Sequence, residues 1–257
     1  MKEPERLAKT IETVFKVPAL HVVDPEEAYK RAMLIAEDGR REGSWEAFTT
    51  EQQAQLAVAY QDARWDQIHK SIGVPTRLAY ANLDARDRDD RPTAAAQNVK
   101  DYMAGDFFEG ACLVLTGPTG VGKTYAAVGG LRAAQALKRV PARRFWYFPA
   151  LCGALLDPSR RHEALAGATT ITMLVLDDLG VEYVKEGGLI DTFLDEIIWT
   201  REAEYLPTII TTNLTTDALK QRLPSRLVDR LRGDWGRVFE CPGESLRSHE
   251  TVTDDAV

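Results

Sequence analysis

Apolar positions in the first third of the chain recur at helical spacing. Leu7, Ile11, Val14 and Phe15 fall at i, i+4, i+7 and i+8, one face of a helix. Asp24-Pro25-Glu26-Glu27 then reads as a helix start, with a capping Asp, Pro at the first helical position and acids in the first turn. That helix is expected to end near Gly39. Thr50 and Gln53 form a capping-box pattern before a segment carrying Leu56, Tyr60, Ala63 and Ile68. Two uses of these stripes stay open. They pack against one another, or part of their surface is a docking face with Trp45 and Phe48 as its aromatic anchors.

The pattern changes after residue 70. Gly73-Val74-Pro75 breaks the helix, and Asp84 to Arg91 is a run of alternating charge that reads as a solvated connector. Ala94 to Met103 can form another helix. From Ala111 onward, short apolar runs alternate with helical stretches. The runs lie at Cys112–Leu115, Phe145–Phe148, Met173–Leu176, Thr208–Thr211 and Arg237–Glu240. This alternation predicts an α/β fold, a parallel sheet flanked by helices. A small helical N-terminal domain over 1–70, a linker and start of the next module over 71–110, and a second domain over 111–250 follow from it. Thr251 to Val257 is a polar, acidic tail.

Composition narrows the class. The 257 residues are 44% hydrophobic and 28% charged, ordinary for a globular chain long enough to need no disulfide staples. The longest charge-free stretches are too short to span a bilayer, and the charged first ten residues carry no secretory signal. Cys112, Cys152 and Cys241 are odd in number and far apart, which fits a reducing cytoplasm better than a disulfide framework or a zinc site. The formal net charge is -7, of which residues 1–110 hold -5. Such a chain is not expected to coat itself with nucleic acid, although local basic patches can bind it.

The chemistry concentrates in four segments. Gly117-Pro118-Thr119-Gly120-Val121-Gly122-Lys123-Thr124 matches the phosphate-loop pattern G-x-x-x-x-G-K-S/T, between an apolar strand and a helix. Its backbone amides and the helix N-terminus suit the phosphates of ATP; Tyr125, the next residue, joins the candidate nucleotide contacts. Lys123 is expected to reach the β- and γ-phosphates and Thr124 to ligate Mg²⁺. Four apolar residues then run into Asp177-Asp178, placing both carboxylates at the strand edge where ligands bind. Asp177 is the candidate Mg²⁺ partner and Asp178 the group that polarises an attacking water. A further strand ends in Asn213, which either sits between γ-phosphate and water or caps a turn. Arg226 and Arg230 share a helix face. They suit charge on a transferring phosphoryl group, supplied from a neighbouring subunit, or else a solvated or DNA-contacting face.

Together these motifs resemble the AAA+ ATPases of the DnaC/IstB-like group, over roughly residues 72–247. Ile72-Gly73-Val74-Pro75-Thr76-Arg77 with Ala81-Asn82-Leu83 looks like the stretch preceding that ATPase core, and Leu176 to Gly180 like its Walker B segment. The resemblance implies a P-loop AAA+ core with Asn213 at the sensing position and Arg230 as the arginine finger, with Arg226 as the fallback. Arg247 lies in a similar C-terminal segment that contacts nucleotide. It also implies a helical insertion after the second strand, here Pro149 to Thr170, that helps grip single-stranded DNA. Arg160, Arg161 and His162, and Lys138, Arg139, Arg143 and Arg144, are its basic candidates, with helix-end charge complementing the dipole as the other use.

The function the resemblance implies is an ATP-dependent helicase loader, weakly active as a monomer. It binds ATP, Mg²⁺ and single-stranded DNA, forms homo-oligomers and delivers a replicative helicase through residues 1–70, in the cytoplasm and away from membranes. The alternative within the family is an IstB-like transposition helper, acting with a transposase on double-stranded DNA. The acidic first region favours a protein partner there. A small-molecule phosphotransferase and a non-hydrolysing nucleotide switch share the phosphate loop. The first has little need of a water-polarising acid, a sensor Asn and a trans arginine; the second remains open because Asp178 is one methylene shorter than Glu.

Overall fold

A computed structural model describes residues 61–62, 64–135, 137, 140–180 and 188–247. The helices expected before residue 57, with Trp45 and Phe48, lie outside the described residues, as do Lys138, Arg139 and Thr251–Val257. The described elements are α1 (Ala94–Ala104), β1 (Cys112–Thr116), α2 (Lys123–Ala134), β2 (Arg143–Tyr147), α3 (Phe148–Leu156) and α4 (Arg161–Thr169). Then follow β3 (Met173–Leu179), α5 (Leu189–Ala203), β4 (Thr208–Thr212), α6 (Thr216–Arg222), α7 (Ser225–Arg232) and β5 (Gly236–Glu240).

Five strands form one parallel sheet in the order β2-β3-β4-β1-β5. Because strand side chains alternate faces, each central strand feeds two cores. Leu113, Leu115, Val175 and Ile209 meet α1 and α2 on one face; Val114, Leu174, Leu176 and Ile210 meet α3, α5 and α7 on the other. β1 and β4 are buried at every position, the condition of a parallel sheet covered on both sides. Truncating one of these fully buried leucines to Ala removes about 2–5 kcal/mol.

Three sequence expectations shift at their edges. β2 begins at Arg143 and ends at Tyr147, because Pro149 opens α3 and draws Phe148 into the helix. Two charged residues are tolerated at its start because β2 is an edge strand. β3 runs past Leu176 to Leu179, with its pairing to β4 interrupted by a register shift between those residues. The charged run at 84–91 is a folded loop rather than a bare connector. Asp87 accepts the Asp89 and Arg91 amides (2.9 Å each), and an isolated bridge joins Arg86 to Pro92.

Asp62 and Trp65, which fall in the N-terminal region assigned from sequence, pack onto the sheet layer. Trp65 is buried in the same cluster as Leu131 and Val99, and its indole N–H donates to the Ala79 carbonyl at 2.6 Å. Asp62 and Arg132 form an ion pair at 2.5 Å. Packing therefore places both residues with the sheet. Arg201, fully buried at the end of α5, donates to the carbonyls of Ala168, Ile171 and Pro207 and to the Thr208 hydroxyl, at 2.7–3.1 Å. Burial brings its guanidinium down to about 9, and the ring of acceptors holds α4, α5 and β4 together. No helix among the described residues is long and apolar enough to cross a membrane.

Candidate functional site

The loop Gly117–Gly122 connects central, buried β1 to α2, whose first residue is Lys123. Two glycines are required by both backbone and space. Gly117 has φ +127° and a Cβ there would lie 2.4 Å from the Cys241 carbonyl oxygen; Gly120 has φ +86° and its Cβ would lie 2.2 Å from Ser245 Oγ. Pro118 and Thr119 stand exposed at the loop crest, while Val121 is buried beneath. The N-terminus of α2 thus opens onto a loop of small residues, the arrangement that receives an anion.

Lys123 is buried, and its ammonium donates to the carbonyls of Gly117 (2.8 Å) and Pro118 (2.6 Å) and to Asn213 Oδ1 (3.0 Å). Burial lowers its pKa, against the pull of Cys241, Asp178 and Asp177. All three ammonium protons are engaged, two of them by oxygens of the phosphate loop itself. Tyr125 turns its hydroxyl away, to the Tyr80 carbonyl at 3.1 Å.

Asp177 is buried at the end of β3. Its Oδ1 accepts the Thr211 hydroxyl at 2.7 Å, and the Thr124 hydroxyl also hydrogen-bonds its carboxylate. Burial pushes its pKa up, only partly offset by those two hydroxyls. A buried carboxylate joined to the first hydroxyl of α2 is an oxygen donor pair that fits a hard divalent cation such as Mg²⁺. Asp178 occupies the register shift with φ +59°, a left-handed conformation that Asp tolerates better than most residues. Its carboxylate Oδ1 accepts the Asn213 side-chain amide at 3.2 Å. Asn213, at the end of β4, therefore connects Lys123 to Asp178 in one hydrogen-bonded chain.

The arginines are placed elsewhere. Arg226 and Arg230 lie on α7 and both turn to α5, Arg226 to Asp195 at 3.1 Å and Arg230 to Glu202. Arg222 pairs with buried Asp191 at 3.2 Å on the same helix. Neither Arg226 nor Arg230 bonds to Lys123, Asp177, Asp178 or Asn213 among the described residues. Arg247 lies close enough to Lys123 to oppose its charge.

The basic groups near the helical insertion have local uses. Arg143 is buried and bonds to the Val140 carbonyl at 2.9 Å, and Arg144 stacks 4.7 Å over Trp146. Arg161 bonds to the Leu155 carbonyl at the end of α3 (2.8 Å), the dipole-complementing use. Arg160 and His162 are exposed.

Sequence reasoning missed two features. Thr211 is buried under both acids, and as one of three threonines in the fully buried β4 it carried no signal of its own. The segment after β5 crosses the phosphate loop, with Leu246 N–H on the Gly120 carbonyl and Arg88 on the Ser245 carbonyl, both at 3.0 Å. That contact spans most of the module and leaves no local pattern.

The profile of the family described as IstB-like ATP binding protein matches residues 52–253. A solved structure of DnaI is 25% identical, with a TM-score of 0.57, and covers 70% of this chain and 100% of its own. The DnaC helicase loader is similar at 24% identity and TM-score 0.53, over 65% of this chain and 100% of that one. The replication initiator DnaA, solved with AMPPCP and single-stranded DNA, shares the fold at 19% identity and TM-score 0.51, over 64% of this chain and 50% of its own. Among curated proteins none matches the sequence.

Proposed function

We propose, from the premise that this chain belongs to the IstB-like ATP binding proteins and is an AAA+ ATPase of the DnaC/IstB-like group, that it is a helicase loader. In this reading it uses ATP to deliver a replicative helicase onto single-stranded DNA. The observation that carries the ATPase half is the chain Lys123–Asn213–Asp178, which joins phosphate loop, sensor strand and second acid. The loader half is supported by the likeness to DnaI, which extends over the whole of that chain.

The reaction is attack of water on the γ-phosphate of ATP. Lys123 exchanges its loop carbonyls for phosphate oxygens, and the loop amides hold the rest of the triphosphate. Asp178 accepts a hydrogen bond from the water, and Asn213 fixes that carboxylate relative to the phosphate. Thr124 and Asp177 would hold Mg²⁺, which would supply positive charge against that of the triphosphate. Arg230 from a neighbouring copy meets the charge on the transferred group, which makes hydrolysis depend on assembly.

Membership of the IstB-like ATP binding proteins is equally compatible with a second reading, a transposition helper acting with a transposase on double-stranded DNA. Affinity capture of the tagged, full-length protein from its native lysate, with ATP and with ADP, separates the two. Recovery of a replicative helicase in amounts that change with nucleotide supports the loader. Recovery of a transposase instead replaces it with the helper.

A further inference from the structure

Thr211 makes two hydrogen bonds through one oxygen. Its hydroxyl donates to Asp177 Oδ1 at 2.7 Å, and the same oxygen accepts the Asp178 backbone N–H at 3.0 Å. A hydroxyl has one proton to give and two lone pairs to receive, so both acids are served by one buried side chain. The Asp178 amide needs this acceptor for a physical reason. The register shift between Leu176 and Leu179 removes it from the regular ladder with β4, and its φ of +59° turns it out of line. A buried amide without a partner is costly, and the Thr211 hydroxyl oxygen supplies one at 3.0 Å.

We propose that Thr211 is a positioning residue that sets where the two acids stand relative to one another. It orients the Asp177 carboxylate toward Thr124 and pins the left-handed backbone that aims Asp178 at Asn213. The inference rests on the ATPase reading above and extends it by one residue that acts through Asp177 and Asp178. Losing the hydroxyl has two consequences. Asp177 keeps only Thr124 as a side-chain hydroxyl partner, which loosens the carboxylate that would hold the divalent cation. Asp178 loses the tether of its strained backbone and drifts from its place at the water. Partners of this kind are worth about 10–100-fold in metal affinity or activity.

The test uses the full-length protein with Thr211→Val, which keeps the shape and removes the hydroxyl, and Thr211→Ser, which keeps the hydroxyl. Three quantities are read: kcat for ATP, the Mg²⁺ concentration for half-maximal binding of a fluorescent ATP analogue, and binding of that analogue in EDTA. For Thr211→Val, kcat falls by about 10–100-fold and the Mg²⁺ requirement rises by a similar factor, while binding in EDTA is unchanged. Thr211→Ser returns both within about threefold of the parent. Thermal unfolding monitors folding, and Thr211→Ala, which introduces no bulk, replaces the Val variant if that one does not fold.

A Thr211→Val protein with lower thermal stability but the parent's kcat and Mg²⁺ requirement has lost packing alone and overturns the inference. So does a Thr211→Ser protein as impaired as Thr211→Val. Lys123→Ala is the control for the underlying reading. If it hydrolyses ATP like the parent, the ATPase assignment of the site fails. If it is inactive while Thr211→Val is unaffected, only the role of Thr211 fails.

Discussion

The phosphate-loop cluster and the arginines of α6 and α7 both carry cations beside carboxylates, yet they are engaged in opposite directions. Lys123, Asn213, Asp178, Thr211, Asp177 and Thr124 bond to one another across the ends of β1, β3 and β4. Arg222, Arg226 and Arg230 bond sideways to Asp191, Asp195 and Glu202 on α5. One group is assembled around the place of reaction within a single chain. The other is occupied with its own subunit. The difference teaches that, under the proposed mechanism, one copy holds the groups that face ATP already bonded together, while any arginine it lends to a neighbour must first leave a carboxylate of α5.

The largest test of that contrast is Lys123→Ala. It removes the ammonium that links loop carbonyls to Asn213, and ATP binding falls below detection in a fluorescent-nucleotide titration up to millimolar concentrations. Retained micromolar affinity would show that the cluster is not a phosphate site. Next comes Arg230→Ala. If Arg230 serves a neighbour, the assembled protein loses about 10³-fold in turnover and the dilute monomer loses nothing. Arg226→Ala is expected to have a much smaller effect. A reversal of the two would transfer the trans role to Arg226, whose side chain is 60% exposed against 27% for Arg230.

Asp178→Asn comes third. The amide is nearly isosteric and leaves Lys123 and the loop untouched, so analogue binding persists while turnover falls by about 10²-fold, the lower range for a group that handles a proton or water. Turnover like the parent's in this variant would remove Asp178 from the mechanism. The water would then be positioned by another group of the site, with Asn213 the next residue to test.

The same contrast explains what could be read in advance. The phosphate loop, the acid pair and Asn213 are short motifs, each carried by consecutive residues at a strand end, and their spacing is visible without a fold. All five strands lie within about three residues of where the apolar runs put them, for the same reason. The limits came from long-range pairing. The end of β3 depends on how β4 lies beside it, and a polar Thr211 in a buried run looks like any β-branched strand residue until that pairing is known. Trp65 reads as part of a helix upstream of the module, but its partner is a carbonyl fourteen residues on and its neighbours are in α1 and α2. Arg201 carries no sequence signal of its own, yet its guanidinium is taken up by the carbonyls of Ala168, Ile171 and Pro207. Arg230 shows the limit most sharply. Sequence spacing puts it on a face with Arg226, and only the structure reveals that the face is already paired.

That pairing yields the smallest and most discriminating expectation, carried by Glu202→Gln. The Arg230–Glu202 pair is about one-third exposed, so solvent screens it and its contribution is about 1 kcal/mol at most. If Arg230 must leave Glu202 to reach a neighbour's nucleotide, removing the carboxylate's charge frees it at that cost. The protein concentration at which ATPase activity rises then shifts down by about fivefold, with the maximal rate unchanged. The measurement is turnover against protein concentration for parent, Glu202→Gln and Asp195→Asn. Asp195→Asn, which frees Arg226, should leave the curve where it was. A lower maximal rate in Glu202→Gln would reverse the sign of the argument. Glu202 would then orient Arg230 for its neighbour rather than withhold it, and the α5–α7 ladder would belong to the assembled active site instead of competing with it.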